Sequence, residues 1–325
     1  MLADSLGFAP ETTYGTYVAP SKFPQGMLKA DPKYNPTRVQ GKGLAGGRLL
    51  DLDDQYVEVG KDASGSVELE VHSKSFGLIL QHLMGGSAVP VQQAATTAYL
   101  QTHVLGSTLG KSLTVQAGIS QAGGLVRPYT FLGAKIKSAE FSCGVDDLLT
   151  CKVEVNARDL TEAQTLAAPS YLTGVRPFSF IDMGFKLGTF GAEAAVQGVT
   201  KMVVKIERPL YDGRYANNAG LKSEPIVNDV LSVSGTIDAD FLDKTVFVDR
   251  FIANTGTSLV WEFVGPIIAS TFAQTFRIRL PRVRFAGDTP TIDGADVTKV
   301  SIPFEAKFDG TNYPSIEYMS TDVAV

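Results

Sequence analysis

The sequence predicts a mainly β protein built from two tandem domains of similar architecture. Three observations support this prediction. Many segments alternate apolar and polar residues, which is the pattern of a strand with one buried side and one solvent-facing side. Glycine is abundant, at 32 of 325 residues, and only 19% of the chain is charged, a composition that favours strands and turns around a packed core. Finally, residues 65–71 return in similar form at 235–241, 170 positions later.

The repeated stretch carries a pair of carboxylates in each copy. Glu68 and Glu70 alternate with apolar residues in the first copy, and Asp238 and Asp240 do the same in the second. A period of two places each pair on the solvent-facing side of a strand. The pairs form either a solvated surface or the wall of an acidic cavity. Catalytic carboxylates are disfavoured, because catalysis usually needs unlike environments that separate two pKa values.

The first half is predicted to run as an arm, a loop, the acidic strand, a helix and four further strands. Five prolines punctuate an extended arm over 1–36, and a loop rich in Gly, Lys and Asp follows over 37–64. Apolar residues at helical spacing predict a short helix at about 74–84, which Gly85 ends. Alternation then predicts strands at 98–105, 112–118, 129–141 and 149–157.

The second half, which we expect to begin near residue 170, repeats this order. A long loop over 211–229 precedes the second acidic strand, as the first loop precedes the first. The remaining predicted elements are strands at 185–190, 201–206, 258–264, 276–285 and 299–308, a helix at about 244–253 and a tail over 312–325. The predicted domains are 1–169, which includes the N-terminal arm, and 170–325, which includes the C-terminal tail.

Few residues are arranged for catalysis. The histidines His72, His82 and His103 lack the spacing of metal ligands, and no phosphate-binding or nucleophile motif occurs. Cys143 and Cys151 flank a turn, and they are either two buried thiols or the halves of a disulfide that forms after release from the cell. The sequence therefore predicts no enzyme, no cofactor and no metal site.

Charge and hydropathy argue against further classes. A net charge of −5 is unlike that of a protein that grips nucleic acid through a concentrated basic surface. The polar and acidic start lacks the pattern of a signal peptide, and no apolar run reaches the roughly 18 residues of a membrane span. We expect synthesis in a reducing cytoplasm.

Several short stretches occur in a recognisable order. They are 10–20 (PETTYGTYVAP), 46–48 (GGR), 65–71 followed by 74–78 (KSFGL), 126–129 (VRPY) and 156–159 (NARD). In these stretches the chain resembles the tail tube proteins, or major tail proteins, of long flexible-tailed bacteriophages, particularly those of actinobacterial phages. The resemblance covers most of the first 160 residues and less of the second half.

The resemblance implies tail-tube-like β-sandwich or barrel domains, each with a short flanking helix and a long loop. Such domains associate into rings whose inner wall is a continuous sheet, and stacked rings form the tube through which phage DNA is ejected. Six tube domains usually complete a ring, so two domains per chain imply a trimeric, pseudo-sixfold ring. The implied partners are other copies of the chain, the tape measure protein, the tail terminator, tail-tip proteins and genomic DNA that passes without specific binding. The implied location is the virion, after assembly in the host cytoplasm, with no membrane contact.

This interpretation assigns residues to a channel face and to assembly surfaces. An acidic wall would repel DNA, so the lumen-lining candidates are Glu68, Glu70, Asp238 and Asp240. Basic residues on the matching strands 129–141 and 276–285, and polar residues of the long loops, are predicted to contact neighbouring subunits. These inter-subunit candidates are Lys135, Lys137, Arg282, Arg284, Arg48, Tyr211 and Arg214.

Two other function classes stay open on the sequence. One is a different virion β-protein, such as a tail terminator, baseplate hub or capsid decoration protein, which would form one ring and not a polymer. The other is a carbohydrate-binding or hydrolytic β-domain, for which we would expect exposed aromatic residues clustered beside carboxylates. The single tryptophan, Trp261, falls within an alternating strand and gives this class little support.

Overall fold

The computed structural model describes residues 4–43, 47, 49–216, 218–287 and 298–325. Within this part of the chain the fold is mainly β, with antiparallel sheets and two short α-helices, as predicted. Buried residues of both halves form one hydrophobic core. Phe141 of the first half and Phe276 of the second, for example, have ring centroids 5.3 Å apart.

In the first half, alternation and turn residues define eleven strands and one helix. These elements are β1 Ser5–Pro10, β2 Met27–Tyr34, β3 Thr37–Gln40, β4 Tyr56–Gly60, β5 Ala63–Glu70, α1 Gly77–Met84, β6 Val91–Gln92, β7 Tyr99–Val104, β8 Leu113–Ser120, β9 Val126–Gly144, β10 Thr150–Ala157 and β11 Asp159–Thr161. The helix ends where predicted, because Gly85 adopts the left-handed conformation at φ 79° that closes a helix.

In the second half the same kinds of element recur. They are β12 Met183–Thr189, β13 Ala192–Ala195, β14 Val199–Glu207, β15 Leu210–Tyr211, β16 Ile226–Val227, β17 Ser232–Asp240, α2 Val248–Ile252, β18 Thr257–Ala269, β19 Phe272–Phe285, β20 Lys299–Ala306 and β21 Ser315–Ser320. Helix α2 is shorter than the predicted 244–253.

One continuous sheet crosses both halves. Its first four strands, in spatial order, are β2, β5, β10 and β9, and its next three are β14, β17 and β20. The junction is the antiparallel pairing of β9 with β14, from Lys201 opposite Gly144 to Glu207 opposite Ser138. Strand β9 is long, and its earlier residues also join β8 and β11 in a second sheet that includes β1.

The pairing pattern repeats between the halves. Strand β5 lies between β2 and β10, and β17 lies between β14 and β20. Lys29 of β2 lies opposite Glu68, just after an irregularity in the register, and Lys201 of β14 lies opposite Asp238 just after the same irregularity. The sequence repeat is therefore also a repeat of strand register, down to a local bulge.

Two segments differ from the prediction. The expected tail, 312–325, contains β21, which pairs with β19 and with β7 of the first half and buries Ile316 and Tyr318. The expected arm, 1–36, contains the buried strand β1 and the edge strand β2. Prolines at positions 10 and 32 concealed these strands, because proline is tolerated at strand ends and on sheet edges.

Candidate channel face and assembly surfaces

The polar side of the continuous sheet carries a row of alternating charges. Each residue of the row lies directly opposite the next, across five adjacent strands. The row is Lys29, Glu68, Lys152, Glu140 and Lys205. Directly opposed side chains are about 5 Å apart at Cβ, and unlike charges at that distance stabilise a sheet by roughly 0.2–1 kcal/mol per pair. We call these five residues the charge row.

A second row of directly opposed residues lies beside the charge row. It consists of Asp31, Ser66, Glu154, Ser138, Glu207 and Ser232. Acidic residues alternate with serines here, and the Ser138 hydroxyl donates to the Glu154 carboxylate at 3.1 Å. The first three residues of each row line a shallow groove of about 570 Å³, to which Asp212 and Lys222 of the second half also contribute.

The four predicted lumen carboxylates all lie on this polar side, each half-buried, but they do not form a uniformly acidic wall. Glu68 lies between Lys29 and Lys152. Glu70 approaches His72, with Oε2 and Nε2 3.6 Å apart, and burial lowers the pKa of that histidine. Each carboxylate of β5 therefore has a lysine or histidine side chain as a neighbour.

The second pair of carboxylates also has close polar neighbours. Asp238 lies opposite Lys201 and accepts a hydrogen bond from the Ser301 hydroxyl at 2.6 Å. Asp240 lies opposite Lys299. The sequence revealed the acidic residues but not their lysine neighbours, because strand register cannot be read from alternation alone.

Lys135 differs from its prediction as an inter-subunit residue. Its side chain is buried, and its Nζ donates to the Thr108 carbonyl at 2.6 Å and to the Glu224 carboxylate at 2.5 Å. Burial lowers the pKa of Lys135, and the Glu224 carboxylate opposes that shift. The lysine thus joins β9 of the first half to the β15–β16 loop of the second half within one chain.

The other basic candidates are more accessible. Lys137 is exposed at the groove, and Arg282 is exposed on β19. Arg284 is half-buried and donates from Nη1 to the Asn254 carbonyl and, at 2.8 Å, to the Asn254 side-chain oxygen. Among the described residues no carboxylate lies within 4.0 Å of its guanidinium nitrogens.

Each long loop folds into a two-stranded ribbon, β3–β4 in the first half and β15–β16 in the second. Tyr211 on β15 is 51% exposed. Arg214 is not free for a neighbour, because its Nη1 donates to the Lys61 carbonyl at 2.6 Å and to the Gly220 carbonyl at 3.2 Å. Arg48 lies outside the described residues.

A buried lysine that the sequence did not single out holds the two loops together. Lys222 is 2% exposed. Its Nζ contacts the carboxylates of Asp62 at 2.6 Å and Asp212 at 3.3 Å, and it also donates to the Asn156 side chain. The loop of the second half is therefore anchored on the first half.

Arg208 makes a further contact across the halves. It follows β14 and is 4% exposed. Its guanidinium donates to the carbonyls of Gly106 at 3.0 Å, Leu83 at 3.1 Å and Met84 at 3.0 Å. Two of these carbonyls belong to the last turn of α1, where helix carbonyls lack intrahelical partners and favour a cation.

The described residues include no group of three or more His, Cys, Asp or Glu side chains placed to bind a metal ion. In the same residues, neither helix has the length and hydropathy of a membrane-spanning segment.

The two cysteines are free and buried. Cys151 lies opposite Phe141, so Cys143 is its diagonal neighbour. Diagonal residues lie about 7–8 Å apart, beyond the roughly 4.5 Å between Cβ atoms that a disulfide requires.

Both thiols are expected to be inert in the folded chain. Burial raises the pKa of Cys143 to about 12 and raises that of Cys151 as well, which suppresses the reactive thiolate. Titration with a thiol reagent at pH 8 should show no reaction before unfolding and two thiols per chain in denaturant. Rapid reaction of the native protein, or a count of zero after unfolding, would contradict this placement.

The comparisons with known proteins agree with this geometry. The search of curated proteins gave no match. A family model described as phage tail tube protein matches residues 4–306, which is nearly the whole chain. That family is structural, and its members are components of the virion. The mainly β fold, its continuous sheet and the family match lead to one conclusion: this chain belongs to the phage tail tube protein family.

Proposed function

We propose that three copies of this chain close into a pseudo-sixfold ring, and that stacked rings form the tube through which phage DNA is ejected. In this proposal residues 1–169 and 170–325 are two tube domains, and the role is structural, without catalysis. The observation that carries it is the pairing of β9 with β14. Inside one chain, the two halves already join edge to edge in the way that neighbouring domains of a ring would.

The edge strand β2 supports the same arrangement. It occupies in the first half the place that β14 occupies in the second, since each flanks an acidic strand with the same bulge. Strand β14 is paired on both sides, by β9 and β17, whereas β2 pairs only with β5 among the described residues. An exposed edge strand is a template for pairing with another chain. The second half of the next copy would supply the missing neighbour of β2.

The strand register also predicts a closed barrel. Lys29 corresponds to Lys201, but the charge row that starts at Lys29 reaches β14 at Lys205. The first half therefore advances the register by the four residues that separate Lys201 from Lys205, and the proposed repeat assigns the same advance to the second half. With four strands per domain, six domains give about 24 strands with a total shear of about 24, which corresponds to a tilt of about 35°.

These values give the width of the channel. At a strand spacing of about 4.8 Å and that tilt, the barrel backbone is about 45 Å across. The interior is wide enough for duplex DNA after side chains are added. A barrel of this size would also remove the free sheet edges of the single chain.

The polar side of the sheet would face the channel, with Glu68, Glu70, Asp238 and Asp240 among its lining residues. Lysines of this face lie beside carboxylates, as Lys29 lies beside Glu68 and Lys201 beside Asp238. A carboxylate on the neighbouring strand weakens the positive potential that such a lysine presents to a phosphate. DNA would therefore pass without specific binding, over a surface of alternating positive and negative charges and not over a uniformly repulsive one.

Partners beyond the chain itself follow from the same role. The tape measure protein would occupy the lumen before DNA, and the tail terminator and tail-tip proteins would cap the two ends of the tube.

Electron cryomicroscopy of concentrated protein or of virion tails tests the proposal. We expect stacked rings of three chains with a continuous inner barrel of about 24 strands. Rings of six whole chains, or discrete single rings that never stack, would overturn it. The latter result would favour a terminator or another ring-forming virion protein.

A further inference from the structure

We propose that the β3–β4 loop of one copy clasps the second half of the adjacent copy, and that Asp54 in this loop binds Arg284 of that copy. The partner is a second copy of this chain, so the inference rests on the proposed ring. It goes further by naming the direction of the loop, the two residues that meet and the kind of contact they make.

The template for this contact lies within the chain. The β15–β16 loop of the second half lies on the first half, where Glu224 binds Lys135 at 2.5 Å. Lys135 also donates to the carbonyl of Thr108, in the turn that precedes β8. A cation on β9 thus holds its own turn and the loop of the neighbouring half at the same time.

Arg284 occupies the corresponding place in the second half. Lys135 lies opposite Asn156, which lies opposite Ser64, and Arg284 lies opposite Glu305, which lies opposite Ser234. Ser64 and Ser234 each precede the first glycine of the repeated stretch. The register therefore equates Lys135 with Arg284.

The local contacts agree with that equivalence. Arg284 donates to the carbonyl of Asn254, in the turn that precedes β18, as Lys135 donates to the turn that precedes β8. Only the carboxylate is missing: within the described part of the chain Arg284 has no acidic partner at salt-bridge distance, whereas Lys135 has Glu224.

The loop that would supply the carboxylate is also equivalent. At the loop end of the first ribbon Gln40 pairs with Tyr56, and at the loop end of the second Tyr211 pairs with Ile226. Glu224 stands two residues before β16, and Asp54 stands two residues before β4. Asp54 is exposed.

The contact would stabilise the assembly because a charged hydrogen bond becomes buried between two copies. An exposed ion pair contributes little because water screens it. Pressed between two subunits, a guanidinium–carboxylate pair is stronger and directional, and it selects one register of docking. The pair would therefore specify how copies align more than how tightly one chain folds.

Charge exchange tests the contact. We expect D54K and R284E each to fold normally but to lower the assembled fraction by about tenfold or more, as for like charges forced together at an interface. The double variant D54K/R284E should recover assembly to within about threefold of the parent, because it restores the pair with opposite polarity. The matched control is D51K, which makes the same charge change on an exposed residue of the same loop and should assemble as the parent does.

Cross-linking gives an independent test. In D54C/R284C, oxidised tubes should yield bands of two and three chains on a non-reducing denaturing gel, while the buried native cysteines stay unreacted. Normal assembly of both single variants, equal damage from D51K, or only one-chain bands would overturn the contact. If the parent chain itself forms no tubes, or forms rings of six chains, the proposed function fails and not the contact alone.

Discussion

Replacing Arg208 by methionine is expected to lower the free energy of unfolding by about 3–5 kcal/mol, because several buried polar groups lose their partner at once. The guanidinium donates to the carbonyls of Leu83, Met84 and Gly106 from a site that is 4% exposed. Burial lowers the pKa of Arg208, but the three carbonyls offset part of the desolvation cost. Methionine keeps much of the volume and removes every donor, so the loss measures hydrogen bonding at the end of α1.

Urea unfolding of the unassembled chain at pH 7 is the appropriate measurement. The conservative variant R208K should lose less of the free energy of unfolding. An ammonium group keeps some of the hydrogen-bond donors but not the planar arrangement of the guanidinium. The matched control is K205M, which removes a partly exposed cation two residues before β14 ends and should cost less than about 1 kcal/mol. A loss below 1 kcal/mol for R208M would show that the carbonyls find other partners.

Acidification from pH 7 to pH 5 is expected to destabilise the folded chain by about 4 kcal/mol through two buried histidines. Burial lowers the pKa of His82 to about 4 and that of His103 to about 4. The unfolded chain binds these protons near pH 6.5 and the folded chain does not. The stability that the neutral rings contribute is therefore present above pH 6.5, falls as the pH drops below that value, and stops changing below about pH 4.

The comparison to make is the pH slope of the free energy of unfolding between pH 7 and pH 5. The variant H103L removes one titrating ring and should halve the slope, whatever it does to stability at pH 7. His72, whose pKa burial also lowers, adds a smaller contribution of the same sign. A flat profile in the parent chain would contradict the neutral, buried state of both rings.

Local patterns were sufficient to predict several elements. Strands β5, β10 and β17 alternate cleanly, and Gly85 marks the end of α1. The N-terminal run that carries the family resemblance proves to be built around Glu11. Its buried carboxylate accepts from the backbone N–H of Gly15 and Gly133 and from the hydroxyls of Ser112 and Thr114. In this N-terminal run, the buried contacts of Glu11 therefore stabilise the fold.

Long-range partners could not be predicted in the same way. The sequence predicts a tail where β21 lies, because the partners of this strand, β7 and β19, are distant from it in sequence. The charge row was missed because it exists only in the register of five strands. The contact of Lys135 with Glu224 could not be predicted either, because sequence cannot distinguish a cation that meets an acid of another chain from one that meets an acid of its own.

The pairing of β9 with β14 has a consequence for how a virion particle is built. In the proposed ring of six domains, each chain would arrive with one junction already made, so two encounters of chains would assemble a ring where separate domains would need five. The translational and rotational freedom that each omitted encounter would cost is lost at folding instead. In that ring the two halves would alternate by covalent linkage, so every ring would hold equal numbers of both halves. On this proposal, fusion of two domains in one chain would restrict a ring to an even number of domains.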